Sequence, residues 1–383
     1  MAATGDIAQA IIIGAGTAGL CAAHELGRLG ISYEILDRGS LIGESWRGRH
    51  PRLTMNTHRD LSTLPDSRFP GGTRAFATRD SLVQHMEDHV ARNAVPIEFG
   101  VTVERVRRED RHYVLHTNKG LRRARHVIIA TGRDRQPMMP EWPGIETFTG
   151  ELIHSSRFGD AAEYEGKSVL VIGAGNSGFD ILNHLIKVRC GPLWLAVRRA
   201  PAILPRRLLG VTVHRLSPLL ARLPVPVVDR LLALSQFAAF GSLTRLGFPH
   251  EAEGGASRLR NEQVALVVDE GSIAAIRKGR VSLVPPVRAF CGGSVILADD
   301  SRLSPDVVIA ATGYTPGLSD MLKDIDVLDR RGFPRINGDE QAGGLPGLWF
   351  IGMRASILGD IGSARRQATA MARSIARDFE ENP

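Results

Sequence analysis

The sequence predicts an α/β protein of two parallel-sheet units, the second inserted into the first. Three observations predict it. Two apolar stretches each run into a glycine turn and then an amphipathic helix: Ile11-Ile12-Ile13-Gly14-Ala15-Gly16-Thr17-Ala18-Gly19 and Val171-Ile172-Gly173-Ala174-Gly175-Asn176-Ser177-Gly178. Each is followed much later by an apolar strand ending in Ala-Thr-Gly, at residues 127–132 and 307–313. The two units also end their second strands on opposite charges, Asp37 in one and Arg198-Arg199 in the other.

The first unit opens with a strand over residues 10–13. Leu20, Ala23, Leu26 and Leu29 then recur at helical spacing, and Gly30 stops the helix. A second strand over 32–36 delivers Asp37. Gly14, Gly16 and Gly19 permit the tight turn and let backbone N–H groups at the helix N-terminus approach a pyrophosphate. An acid about 20 residues on hydrogen-bonds ribose hydroxyls, so Asp37, with Arg38 beside it, suits FAD. The second unit repeats the plan. A strand over 168–172 meets Gly173, Gly175, Asn176, Ser177 and Gly178, and a helix follows through Ile181, Leu185 and Ile186. Gly191 stops it, and a strand over 193–197 delivers Arg198 and Arg199. Arginine there accepts the 2′-phosphate that distinguishes NADP, which suits NADPH. One such glycine pattern is weak evidence, because strand-turn-helix units also occur as plain architecture. Two in context, with opposite charges, are specific, and they describe a chain that passes a hydride from NADPH to a flavin.

Glycine after Ala130-Thr131 and after Ala311-Thr312 (Gly132 and Gly313) lets the chain leave a sheet sharply, a natural crossing between domains. Pro137, Pro140, Pro143 and Gly144 form a stiff linker after the first. The expected parse is two Rossmann-like dinucleotide-binding domains, with an NADPH-binding domain over 152–304 inserted between FAD-binding parts over 1–151 and 305–383. The closing segment returns to the flavin through a strand over 348–351, Gly352 and a helix over 363–378. A Leu-rich, basic stretch over 204–248 has helical period and reads as a helical cover on the NADPH domain. A pocket wall or a membrane-surface face are its other uses.

Composition narrows the class. The 383 residues are 43% apolar and 23% charged, ordinary for a globular protein of two or three domains. The net charge of +7 suits anionic dinucleotides, while 5% aromatics give no stacking platform for nucleic acid. Cys21, Cys190 and Cys291 form no C-x-x-C pair, which argues for a reducing compartment and against disulfide-reductase chemistry. The first strand begins too early for a signal peptide, and the uncharged run 231–244 is too short to span a bilayer, so the chain reads as cytoplasmic. The twelve histidines show no ligand spacing with an acid on one helix, and no metal is expected. The expected partners are a small-molecule substrate and O2. The oligomeric state, a dimer among the options, is not legible.

Residues 148–158, Phe-Thr-Gly-Glu-Leu-Ile-His-Ser-Ser-Arg-Phe, resemble the F-x-G-x-x-x-H-x-x-x-(Y/F)-(K/R) motif of flavin-containing monooxygenases. They depart from it at Gly159, where the family has a basic residue, and Baeyer–Villiger relatives carry Trp where this chain has Phe158. The likeness covers almost the whole chain. Gly43-Glu44-Ser45-Trp46-Arg47 looks like the family's flavin-contacting segment, and Trp46, Arg47 and Val103 are placed as FAD contacts on that basis. Thr54-Met55-Asn56-Thr57 looks like the segment whose Asn helps hold the oxygenated flavin and the nicotinamide, which makes Asn56 the candidate catalytic residue. By residue type alone, Asn56 serves equally as a turn residue. From 197 to 322 the likeness narrows to the YUCCA-type monooxygenases. It runs through Val197-Arg198, Ile203-Leu204-Pro205-Arg206, Leu223-Pro224, Val228-Asp229-Arg230, Gly271-Ser272-Ile273, Lys278-Gly279 and Ala311-Thr312-Gly313-Tyr314. That subgroup converts indole-3-pyruvate to indole-3-acetate, and Asn56 departs from its pattern.

The resemblance implies that NADPH reduces FAD and that the flavin forms a peroxide with O2 in a dry pocket. One oxygen atom then passes to a small organic acceptor, a 2-oxo acid such as indole-3-pyruvate or a soft nitrogen or sulfur. A 2-oxo acid would want a cation, and Arg59, Arg206 and Arg207 are available. His154 fits a linker residue better than a general base. The same fingerprints also serve an NADPH-dependent flavin reductase or oxidase, which passes electrons to a quinone, a partner or O2 without oxygen transfer. A non-catalytic redox sensor is a third reading.

Overall fold

The computed structural model describes residues 7–208, 210–341 and 344–382. Each fingerprint strand pairs in parallel with the strand that follows its helix and with its own Ala-Thr-Gly strand. In the first unit Ala8–Ile13 lies between Tyr33–Asp37 and Gly120–Ile129, with Ile12 opposite both Ile35 and Ile128. In the second, Val169–Ile172 lies between Leu193–Ala196 and Val307–Ala310. Where these strands pair in parallel, residues 11–13 and 127–129, Val169–Ile172 and Val307–Ala310 read as apolar runs, because a parallel sheet is covered on both faces. Ala10, Ile11 and Ile12 are completely buried, as are Val169, Leu170 and Val171.

The first sheet continues outward from the fingerprint strand to Ile97–Phe99 on one side. On the other, the long strand Gly120–Ile129 divides its pairing. Its first half forms a meander with His112–Thr117 and Val103–Glu109, and its last residues pair with Leu348–Phe350. The helix Asp360–Glu381 then packs on Thr17–Arg28. Ala364, Ala368 and Ala372 recur at every fourth position on its buried face, and Ala22 and Ala23 meet them in the same core. These small side chains let the two helices approach closely. The return of the C-terminus to the first sheet, expected from the sequence, is therefore how the chain is built. The second sheet runs Val281–Val284, Leu193–Ala196, Val169–Ile172, Val307–Ala310, Glu151–His154, all parallel. The protein is thus an α/β fold of two dinucleotide-binding units, one inserted in the other.

Two boundaries differ from the sequence reading. Val307–Ala310 belongs to the second sheet, between Val169–Ile172 and Glu151–His154, so the return to the first sheet starts after it and not at 305. An apolar strand ending in Ala-Thr-Gly fits either sheet, and only the vacancy beside its own glycine turn decides. The stretch 204–248 is helical only in part. Ile203–Pro205 is a strand paired with Val267–Asp269, and Arg207–Leu208 pairs back on Val211–Thr212. Within it the α-helices are Ser217–Leu220 and the sixteen-residue Val225–Phe240, with short 3-10 turns at Val213–Leu216 and Thr244–Leu246. Pro205, Gly210, Pro218 and Pro224 interrupt what the leucine period suggests is continuous; Leu209 lies outside the described residues. Among the described residues no helix is long and apolar enough to cross a membrane.

Candidate active site

The two glycine turns are built alike, and their glycines divide into two jobs. Gly14 and Gly173 stand at φ +107° and +108°, where a side chain is strained. A β-carbon at Gly14 would sit 2.7 Å from the Ala130 carbonyl oxygen, and one at Gly173 2.5 Å from that of Ala311. At Gly19 or Gly178 it would fall 1.9 Å from the carbonyl oxygen of Gly14 or Gly173. These four let helix, turn and strand touch. Gly16 and Gly175 differ, because a β-carbon there meets nothing within 4 Å. They begin the helices Thr17–Arg28 and Asn176–Leu185 with no side-chain cap. The first N–H groups of each helix therefore keep donors for a ligand, and each turn has the room and polarity that a pyrophosphate requires.

Both turns open into one cleft of about 1710 Å³. From the first unit Gly14, Gly16, Asp37, Arg38, Trp46 and Val103 line it, together with Ala130, Thr131 and Gly132. From the second come Gly175, Asn176, Ser177 and Arg198, with Ala311, Gly313 and, from the returning segment, Gly352. Asp37 pins the first turn, since its carboxylate accepts N–H bonds from Ala15 (2.6 Å) and Gly39 (2.7 Å). The buried hydroxyl of Thr131 has no partner among the described residues, which leaves a polar atom for a ligand.

Gly19, Gly173 and Gly178 lie behind the cleft, in the packing role just described. Three further candidates stand outside the cleft lining. Arg47 does not line the cleft: its guanidinium bonds the Ile42 carbonyl and pairs with Glu87. Arg199 is surrounded by acids, at 2.7 Å from Glu251, 2.8 Å from Glu262 and 3.9 Å from Glu253. Its hydrogen bond holds the Glu251 carboxyl down at about 2. Arg198, one residue earlier, is exposed, lines the cleft and makes no side-chain bond among the described residues. Thr312 is turned away to donate to the Met138 carbonyl, closing the linker onto the second unit.

Asn56 lines the cleft that both turns share. Its amide donates across the domain boundary to the Asn176 side chain at 3.5 Å, which is its side-chain hydrogen bond among the described residues. The bond does not turn back on its own loop. Around it the lining includes the apolar side chains Phe76, Leu204, Val213, Leu220, Leu232 and Ile357, with Arg206, His214 and Ser217 among them. Arg206 spans the same boundary, bonding Thr54 Oγ1 (2.8 Å) and the Met55 carbonyl (3.1 Å) while pairing with Glu270. Its guanidinium also lies 3.9 Å from the Phe76 ring centre. Arg59 bonds the Thr73 carbonyl. Of the three arginines offered for a substrate carboxylate, two are thus already engaged.

Residues of the Phe148–Phe158 stretch serve the domain crossing. His154 Nε2 lies 3.1 Å from the Gly313 carbonyl and its ring meets Tyr314 edge-on. A β-carbon at Gly150 would fall 2.9 Å from the Asp306 carbonyl oxygen. Phe158 is buried against Tyr164 and His50. The sequence reading missed Arg49, whose guanidinium donates to the Tyr314 hydroxyl at 2.7 Å. It also missed the convergence of His50, Asp180 and His184, whose ligand-type atoms lie within 4.8 Å of one another. Asp180 and His184 are one turn apart on one helix, but His50 comes from the other domain, and no local spacing could announce it. His50 and Asp180 are 2.7 Å apart and tie the domains together.

Three desolvated histidines make the fold less stable in acid. Desolvation pushes His89, His126 and His214 down from 6.5 to about 4. The unfolded chain takes up these protons first, so stability is full above 6.5 and is lost as pH falls from there toward 4. Each group contributes a slope of at most about 1.4 kcal/mol per pH unit. Thermal melting across this range is expected to show a plateau near neutrality and a steep decline below it.

Known proteins resemble this chain over nearly its full length. Residues 11–191 match the pyridine nucleotide-disulphide oxidoreductase family. The indole-3-pyruvate monooxygenase YUCCA4 of Oryza sativa subsp. japonica is 30% identical over 91% of this chain and 83% of its own. The probable indole-3-pyruvate monooxygenase YUCCA3 of Arabidopsis thaliana is 28% identical over 97% and 87%. Among solved structures, a flavin-containing monooxygenase from Stenotrophomonas maltophilia superposes with a TM-score of 0.75 at 24% identity, covering 98% of this chain and 99% of that one. OTEMO in complex with FAD and NADP gives 0.72 at 18% identity, over 98% and 86%. These superpositions support the fold. The chain belongs to the class B flavin-containing monooxygenases, is similar to their YUCCA-type members, and is an oxidoreductase that uses FAD and NADPH.

Proposed function

We propose that this enzyme transfers one atom of O2 to a small organic acceptor in the apolar end of the cleft, and that the acceptor is a 2-oxo acid of the indole-3-pyruvate kind. The observation that carries the reading is Asn56, which lines the cleft both glycine turns share and donates across the domain boundary to Asn176 of the second turn. In this reading the FAD domain comprises the described residues up to the 132–150 linker and those after 311. The NADPH domain lies between them. The N–H groups at Gly16 and the carboxylate of Asp37 hold FAD, with Thr131, Trp46 and Val103 beside it. Gly175, Asn176 and Ser177 cradle the NADPH pyrophosphate, and Arg198 takes its 2′-phosphate. When bound, FAD supplies hydride acceptance from NADPH and reaction with O2. The side chains do the rest. Phe76, Leu204 and Leu232 exclude water, and Asn56 offers a neutral donor at the domain boundary. For a 2-oxo acid the balance is R-CO-COOH + O2 + NADPH + H+ giving R-COOH + CO2 + H2O + NADP+.

The test supplies the purified enzyme with NADPH, 18O-labelled O2 and indole-3-pyruvate, and counts labelled acid and hydrogen peroxide per NADPH. Labelled acid in near-stoichiometric yield supports the reading. Stoichiometric peroxide without oxygenated product, over a panel of 2-oxo acids, amines and thioethers, assigns the chain to the reductases or oxidases. Asn56→Ala is expected to lower product per NADPH about tenfold, while anaerobic flavin reduction by NADPH stays within about twofold.

A further inference from the structure

Among the described residues, the helix Val225–Phe240 has one face without a protein partner. Val228 and Leu232 are buried, but Val227, Leu231, Leu234 and Phe237 are 40%, 43%, 65% and 63% exposed. These four recur at helical spacing and form a single outward stripe. The preceding turn exposes Leu216 and Leu219 as well, at 47% and 59%. An apolar face of this extent is unusual on a lone domain.

Its charges decide what fits it. The segment 204–248 holds six arginines and one acid, Asp229. The Asp229 carboxylate is turned inward, accepting N–H bonds from Ala256 (2.7 Å) and Ser257 (3.1 Å). Arg222, Arg230 and Arg245 are exposed and make no ion pair among the described residues. Arg230 projects within the stripe itself, a turn from both Val227 and Leu234. A second copy docked about a two-fold axis would set these arginines against themselves, with no acid of the face to answer them. A surface of anionic lipid answers both features: acyl chains take the leucines and Phe237, and headgroups take the arginines. At sixteen residues the helix lies in the plane of such a surface and does not cross it.

We propose that this face docks the enzyme on anionic membrane surfaces. The adjoining turn carries the consequence. Leu220, Leu223 and Val225 wall a cavity of about 410 Å³ that shares Leu220, Leu259 and Ile357 with the main cleft. Docking sets the wall of that cavity at the lipid boundary.

The test is co-sedimentation of the flavin-loaded full chain with phosphatidylcholine vesicles, with and without phosphatidylglycerol. Binding is expected only with the anionic lipid, and it falls as salt rises. The double variant Leu234→Asp, Phe237→Asp abolishes it, and Arg230→Gln weakens it about fivefold. Leu121→Asp, at an exposed leucine of the other domain, changes nothing. Flavin absorbance and melting temperature verify that each variant is folded. A parent chain that stays in the supernatant, or a double variant that still binds, overturns the proposal. Sedimentation velocity covers the rival occupant: a dimer split by the double variant, with no vesicle binding, gives the face to a second copy.

Discussion

Gly175→Val is expected to give a folded, yellow protein that NADPH no longer reduces. A β-carbon at this position meets no protein atom within 4 Å, so the substitution costs the fold little. It does fill the space in front of the uncapped helix Asn176–Leu185, where the proposed pyrophosphate sits. A loss of NADPH affinity of at least about a hundredfold follows from blocking several charge-assisted N–H contacts together. Gly16→Val is the counterpart in the first unit and should yield colourless protein lacking FAD. Gly19→Ala and Gly178→Ala separate packing from binding. Their methyl groups would fall 1.9 Å from a backbone oxygen, so they should destabilise the fold by about 3 kcal/mol or more. Flavin content after purification, thermal melting and anaerobic titration with NADPH distinguish the four. A Gly175→Val protein reduced as fast as the parent would remove the second turn from the nucleotide site.

The second large effect concerns the arginine pair. Arg198→Ala is expected to raise KM for NADPH about tenfold to a hundredfold and leave NADH almost unchanged, since a bond to a charged phosphate contributes about 1.5–3 kcal/mol. Arg199→Ala should leave the choice between the two nucleotides alone. It removes the cation that Glu251 and Glu262 share, and its effect is a small loss of thermal stability that salt reduces further. The pair of variants therefore has opposite signatures. Equal effects on nucleotide preference would mean that the acids around Arg199 release it when NADPH arrives.

The glycine turns illustrate how much of the site was legible beforehand. Gly14, Gly16 and Gly19 were read as one group serving a nucleotide, and all three sit at one turn. Their division of labour was not legible, because it depends on Ala130, a residue from a strand more than a hundred positions away in sequence. Asp37 was read as a ribose ligand. Its carboxylate also braces the turn through Ala15, which identity and spacing could not disclose. The leucine period of 204–248 described composition correctly and continuity wrongly, because proline and glycine act on the backbone whatever the side-chain rhythm.

The sequence by itself determined the two parallel-sheet units, the insertion of one in the other, the pair of cofactors and the family. These are written in stretches of about thirty residues. Each stretch states backbone requirements that hold wherever it is placed: apolar strands for a covered sheet, glycine where a side chain would collide, and a charge at a strand end. The tertiary structure alone decided which of two adjacent arginines faces the cleft, that Arg47 serves Glu87, which sheet takes Val307–Ala310, and that His50 meets Asp180 and His184. Each of these outcomes is a competition among side chains distant in sequence for the same few ångströms. Exposed charges are settled by whichever partner the fold brings nearest, and no local pattern carries that information.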